Sequence, residues 1–243
     1  MPAATVAITG GTWLTADGGS ACVDGSPTRV ARYQAAGAVT VTLSLASSIA
    51  VRIAAILGLR GVAVGAAVSI TAGGQSANGT VQRFPDGSLG CWIVMDAVAA
   101  ASVAFTLPAG TVDVGELVAM PAVDVPHEAD WSLETIDPTE LLRTRSGGAA
   151  ITRCRGYRVL QVRLVPEQVD QVRRGGLGGD MDWDALAAAM AGGQRIAGIV
   201  RQTPENDRQR TAIYGQGRMT PISHISGDWY GAALTLEELP AAV

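Results

Sequence analysis

His224 lies in PISHISGDWY, with Ser223, Ser226 and Asp228 close by in the chain. A histidine near a hydroxyl and an acid is the set that nucleophilic catalysis needs, with the imidazole as base. The same residues also describe an ordinary polar turn before a strand, and no GxSxG elbow accompanies them. The other histidine, His127, sits in the acidic text VPHEAD. A hydrolase centred on His224 is therefore the weakest of three functional readings.

Asp180, Asp182 and Asp184 in GGDMDWD have the spacing that opens a calcium loop. The glycine and the bidentate glutamate that complete such a loop are missing at their offsets. Asp182 as a helix cap, with Asp184 in the first turn, explains these acids more simply. The preceding GGLGGD (175–180) could form an anion nest before a helix, and a flexible loop is the simpler reading. AITGGTW follows an apolar run, but neither GxGxxG nor GxxxxGK[ST] is present.

All 18 basic residues are arginine. Without lysine there is no Schiff base, no phosphate-loop lysine and no amine base, so several enzyme classes drop out. Cys22, Cys91 and Cys154 are odd in number and widely spaced, which signals neither a disulfide framework nor a structural zinc site. The start, MPAATVAITGGTW, lacks the charged and apolar regions of a secretory signal. Folding in a reducing cytoplasm is expected, and no catalytic, cofactor-binding or metal-binding residue is assigned. The chain is expected not to be an enzyme.

A net charge of −4 and a pI near 5.2 offer nucleic acid no general attraction. The stretch IAVRIAAILGLRGVAVGAAVSI (49–70) is long and apolar, but Arg52 and Arg60 interrupt it and Gly58, Gly61 and Gly65 punctuate it. Membrane insertion is not expected from such a segment. Of the five tryptophans, Trp92 and Trp229 fall inside predicted strands, with Tyr230 beside the latter, where packing is the default role. Trp13 and Trp131 lie in less regular text. An exposed ring among these would form a platform for a sugar.

The elements that must position these residues are read from periodicity. Up to about residue 120, short apolar runs are separated by the turn formers TADGGS, VDGSP, GGQSANG, FPDGS and LPAG. VTVTLSL (39–45), IAVRIAAIL (49–57), AAVSITA (66–72), GCWIVMD (90–96) and ASVAFTL (101–107) read as strands of an antiparallel sandwich. In the first of these, Val39, Val41, Leu43 and Leu45 face one way and the hydroxyl residues the other. GLRGVAVG (58–65) is expected to be a loop that carries Arg60, with Arg52 and Arg60 both reaching solvent.

Eight acids and no arginine occupy residues 113–140, and 13 of the 18 arginines follow in residues 143–218. The acidic tract is read as a connection, and the two charge blocks suit a head-to-tail contact between copies. In the second half, RGYRVLQVRLV (155–165) reads as a strand, PEQVDQVRR (166–174) and MDWDALAAAMAGG (181–193) as short helices, and RIAGIVRQ (195–202) as a strand. Strands around RTAIYGQG and WYGAALTLEEL follow, with PEND as a loop. The expected fold is mainly β. An N-terminal antiparallel β-sandwich (1–120) leads through an acidic connecting segment (121–150) to a smaller α+β domain (151–243) with antiparallel strands and two short helices.

DGSPT (24–28) before a strand, followed by VTVTLSLASSIAVRIAAILGLRGVAVGAAVSITAG, resembles the galactose-binding-like (discoidin-type) β-sandwiches of tailed-phage structural proteins. RSGG (145–148), RGYRVLQVRL (155–164), IYG (213–215), Pro221 and WYGAALTLEEL (229–239) are similar to minor tail and tail-tip proteins of long-tailed bacteriophages. The resemblance implies a non-enzymatic part of a tail tip or baseplate, self-associated as a ring or hub and in contact with other tail proteins. It implies a place in the virion tail after synthesis in the host bacterial cytoplasm, and it carries no catalytic or metal residues. The alternative reading, from a different class, is a carbohydrate-binding module that contacts host-surface glycan.

Overall fold

The computed structural model describes residues 5–143, 149–152, 155–178 and 181–241. RSGG (145–148), Cys154, Gly179 and Asp180 lie outside the described residues. Two compact units make up the chain: Met1–Ala122 with Ile199–Ala212 and Ala241–Val243, and Val123–Gly198 with Ile213–Pro240.

The first unit contains β1 (Thr5–Thr9), β2 (Thr12–Trp13), β3 (Ala31–Ala35), β4 (Val39–Leu59), β5 (Ala67–Ala72), β6 (Gln75–Thr80), β7 (Gln82–Arg83), β8 (Leu89–Leu107), β9 (Gly110–Val114) and β10 (Glu116–Met120). Seven of them form one antiparallel sheet of order β1-β4-β8-β5-β6, with β10 also on β4 and β7 on β8. The other three form the sheet β2-β3-β9. A single core joins the two: Val41, Leu43, Ile56, Ile70 and Phe105 from the large sheet meet Ala31, Tyr33, Val112 and Val114 from the small one. The alternation in VTVTLSL places Val39, Val41 and Leu43 at zero exposure, so the period-2 text does select the dry face.

The long apolar stretch is split close to where the sequence suggested, with β4 ending at Leu59 and β5 starting at Ala67, but the strands on either side of the split are longer than read. VTVTLSL and IAVRIAAIL are one strand, β4, and GCWIVMD and ASVAFTL are one strand, β8, paired along their length. Register shifts at Ser44/Ile49, Val51/Ile53 and Leu57/Leu59 absorb the extra residues, and bulges of this kind let long strands bend around a core. Gly58, expected in the loop, lies within β4 at a φ of 66°, a conformation glycine adopts without strain. Arg60 is exposed and Arg52 only half so. Among the described residues no helix is long and apolar enough to cross a membrane.

The acidic tract also differs from the expected connection. Asp113 and Glu116 are buried within β9 and β10 of the first unit. Asp113 accepts two hydrogen bonds from Arg32, at 2.6 and 2.9 Å, and this partner holds its carboxyl below the usual carboxylate range. A depressed carboxylate lends stability that is fully present above its unfolded pKa near 4 and is lost as pH falls through the folded value. Asp113→Asn is therefore expected to flatten the acid limb of a pH–stability curve below about pH 4, measured by urea unfolding; an unchanged limb would contradict the pairing.

The second unit contains β11 (Ser132–Ile136), β12 (Glu140–Arg143), β13 (Ala149–Thr152), β14 (Tyr157–Arg163), β15 (Glu167–Gln168), β16 (Arg195–Gly198), β17 (Ile213–Met219), β18 (Ser223–Ser226), β19 (Trp229–Gly231) and β20 (Ala233–Glu238). They form a five-stranded antiparallel sheet β11-β14-β20-β17-β16, the hairpin β12-β13 and a three-stranded sheet β15-β19-β18. Residues 121–150 are thus not a bare connection, since they supply β11 and β12. The helix Trp183–Ala191 forms as expected, with Asp182 accepting from the Ala185 N–H at 2.8 Å, a cap that contributes about 1 kcal/mol. It packs on β17 at Gly217, where a Cβ would lie 2.9 Å from the Met190 sulfur. A shorter helix, Val169–Arg173, begins after Glu167 and Gln168 pair as strand.

A third helix, Glu205–Thr211, occupies text read as the loop PEND and the start of a strand. Its acids Glu205 and Asp207 lie in the first turn and Arg208 and Arg210 in the last, the arrangement a helix dipole favours. This helix belongs to the first unit although the strands on either side of it in sequence belong to the second.

Candidate binding surface

The structure does not assemble a triad around His224. Its Nε2–H donates to the Gly227 carbonyl within the β18–β19 turn, so that nitrogen carries the proton and cannot act as a base. The Ser223 hydroxyl donates to the Pro221 carbonyl at 3.3 Å. His127 makes an isolated bridge to Leu164. Asp182 caps the helix and also accepts from the Gly175 N–H at 3.2 Å, while the Gly176, Leu177 and Gly178 N–H groups donate to backbone carbonyls, so none of these four is left for an anion. Asp184 faces Arg173 at 3.4 Å. Among the described residues no group of three or more histidine, cysteine, aspartate or glutamate side chains could hold a metal ion. Cys22 and Cys91 are buried free thiols, and burial pushes both up to about 12.

Glu116, which the sequence reading passed over, has zero exposure and accepts from the Gly25 N–H at 3.1 and 3.2 Å, anchoring the DGSPT turn. Asp24 shapes the same turn by accepting from the Ser26 N–H at 2.8 Å.

The separate charge blocks are partly neutralised inside each unit. Arg163 faces Glu128, Arg174 faces Asp170, Arg201 faces Asp207 and Arg208 faces Glu205, at 3.0 to 3.8 Å. Arg158 and Glu238 form a buried pair. Charges spent in this way leave less for a contact between copies.

What remains is a surface on the sheet β15-β19-β18. His224 is opposite Tyr230, Ser223 opposite Gly231, Gln168 opposite Trp229 and Glu167 opposite Tyr230. Alternation therefore sets His224, Tyr230 and Glu167 on one face and Trp229, Gly231, Gln168 and Ser223 on the other. On the first face Tyr230 is gripped: the Arg173 guanidinium lies 5.3 Å from its ring centroid, and the His224 ring meets it edge-on at 5.4 Å. On the second face Ile225 lies over Gly231, where a Cβ would come within 3.0 Å of its Cδ1. Trp229 is 44% exposed and Ile225 is 55% exposed. With Tyr230 held on the first face, alternation places the neighbouring indole on the second. The result is an exposed apolar shelf of Trp229 and Ile225, with the neutral hydrogen-bonding side chains Gln168 and Ser223 on the same face as the indole.

The other rings are placed differently. Trp92 and Trp183 are buried, and Trp13 packs against the core edge-on to Tyr33 at 6.1 Å. Trp131 is half-buried. Sequence reasoning named Trp229 but had no signal for its exposure, because an outward ring in a three-residue strand reads the same as an inward one.

No protein-family model matches this chain, and no curated protein does. Among solved structures it is similar to CBM32-3 from a family 31 glycoside hydrolase from Clostridium perfringens, at 18% identity over 48% of this chain and 91% of that one, with a TM-score of 0.38. It is also similar to the family 32 CBM from C. perfringens NanJ in complex with galactose, at 17% identity over 48% and 92%, with a TM-score of 0.38. The lectin-binding domain of Lectinolysin complexed with Lewis b matches at 15% identity over 50% and 94%, with a TM-score of 0.38. A likeness of this strength carries no argument about what the present chain binds.

Proposed function

We propose that the protein is a non-enzymatic binding protein whose ligand is a glycan, held on the Trp229 face of the sheet β15-β19-β18. The observation that carries this reading is the outward indole of Trp229 beside Ile225, with Gln168 and Ser223 alongside. Exposed apolar surface rimmed by polar groups marks interaction sites. A pyranose matches the shelf on both counts: its C–H face covers an aromatic ring and its hydroxyls reach neutral donors and acceptors. The ordinary core role of a tryptophan does not account for an indole turned to solvent. A glycan array spanning bacterial surface and neutral oligosaccharides tests the proposal. Saturable binding to at least one glycan is expected, and none at millimolar concentrations would reject it.

A second reading, a structural component of a phage tail tip or baseplate, is favoured by a different observation. RGYRVLQVRL and WYGAALTLEEL, the segments similar to tail-tip proteins, supply β14 and β20, which pair side by side from Val159↔Glu237 to Arg163↔Ala233. A tape-measure-like coding sequence beside this one would support that reading, and neighbours of unrelated metabolism would count against it. The two readings are compatible, since a tail component can also touch host glycan.

A further inference from the structure

We propose that β1 is a dimerisation edge, at which a second copy of this chain adds its own β1 antiparallel about Ala7. This goes beyond the glycan reading and concerns the other unit.

β1 is the terminal strand of the seven-stranded sheet and pairs on one side with β4, from Thr5↔Ser44 to Thr9↔Thr40 without a register shift. An edge strand presents a row of backbone donors and acceptors, and proteins blunt such edges with charges, prolines or bulges. β1 reads TVAIT and has none of the three. The five-stranded sheet of the second unit is guarded in the usual way, with Glu134 in β11 and Arg195 in β16 at its two edges. The far edge of the large sheet, β6, is uncharged too, but it reads QSANGT, whose Asn78 and Gly79 are poor strand formers, and its last residue Thr80 donates to Glu205 at 3.4 Å. Among the described residues no strand pairs with the other side of β1.

The occupant follows from the strand's own symmetry. TVAIT has the same side-chain classes read in either direction from Ala7. Two copies related by a two-fold axis at Ala7 would set Thr5 opposite Thr9, Val6 opposite Ile8 and Ala7 opposite itself. Threonine pairs and pairs of β-branched residues are favourable cross-strand neighbours, and a two-fold interface requires such self-complementarity. Thr5, Ala7 and Thr9 lie on the exposed face, while Val6 and Ile8 pack against the core. Pairing would therefore continue both the wet and the dry face across the axis, and the two large sheets would become one.

The test is size-exclusion chromatography with light scattering on the full chain, from micromolar to several hundred micromolar, at low and high salt. A mass of twice the 24.9 kDa chain is expected, insensitive to salt because no charge enters the contact. Ala7→Lys is expected to give a folded monomer whose thermal unfolding no longer depends on protein concentration, as that of the dimer does. In a Cys154→Ser background, Ala7→Cys is expected to form a covalent dimer under mild oxidation, whereas an exposed control, Ser102→Cys, is not. A wild-type monomer at every concentration overturns the proposal. So does a dimer that dissociates in high salt, or one that survives Ala7→Lys without an Ala7→Cys cross-link. Glycan binding by monomeric Ala7→Lys would leave the proposed function standing whichever way this result falls.

Discussion

Glu238→Ala is expected to cost the second unit about 3–5 kcal/mol, the scale for removing one partner of a buried ion pair. The side chains of Arg158 and Glu238 are only 3% and 10% exposed. Glu238 accepts from the Arg158 backbone N–H at 3.1 Å and from its Nε at 2.8 Å, with a further bond from Nη2. The pair lies where β14 and β20 run side by side, so its loss takes the carboxylate away from a guanidinium buried within the five-stranded sheet. Urea unfolding of the single variant reads this directly. The double variant Arg158→Met with Glu238→Leu should recover most of the loss, because apolar groups of similar volume need no partner. A single variant within about 1 kcal/mol of wild type, the range of an exposed pair, would show the bridge to be solvated.

The second large effect is expected at Gln209. Its side-chain amide accepts from the Trp92 N–H at 2.7 Å and donates to the Trp92 carbonyl at 2.8 Å, as a neighbouring strand would. Gln209 and Trp92 are 2% and 1% exposed. This two-point bond holds the helix Glu205–Thr211 on β8 and satisfies backbone groups that water does not reach. Gln209→Leu leaves both unmet, at roughly 1–3 kcal/mol each. Gln209→Glu keeps the acceptor but turns a carboxylate toward the Trp92 carbonyl, and should be no better. Hydrogen exchange at the Trp92 amide should rise strongly in both variants; unchanged protection would mean that the helix is held by other contacts.

The fold was legible where a residue's face is decided locally. Val39, Val41 and Leu43 alternate with hydroxyl residues, and burial follows that alternation; Asp182 announces the helix Trp183–Ala191. Strand length was not legible. Nothing in SLASSIA says that β4 continues through it, because the bulges that carry it there depend on its pairing with β8. The helix Glu205–Thr211 had a local signal in its graded charges, yet its packing against Trp92 is a contact across 117 positions that no periodicity encodes. The same holds for the candidate site. The rings and His224 could be named from sequence, but whether His224 is spent on Gly227 and whether Trp229 faces outward depend on the β18–β19 hairpin and on Arg173, which arrives from a separate helix.

The claim on which the functional account turns is that the outward indole of Trp229 is the ligand platform. The direct measurement is a calorimetric titration of one array-selected glycan into wild type and into Trp229→Ala, run beside a thermal melt of each. The account predicts saturable binding to wild type, at least a tenfold weaker response from the variant, and coincident melts. Equal binding by the two proteins would contradict it.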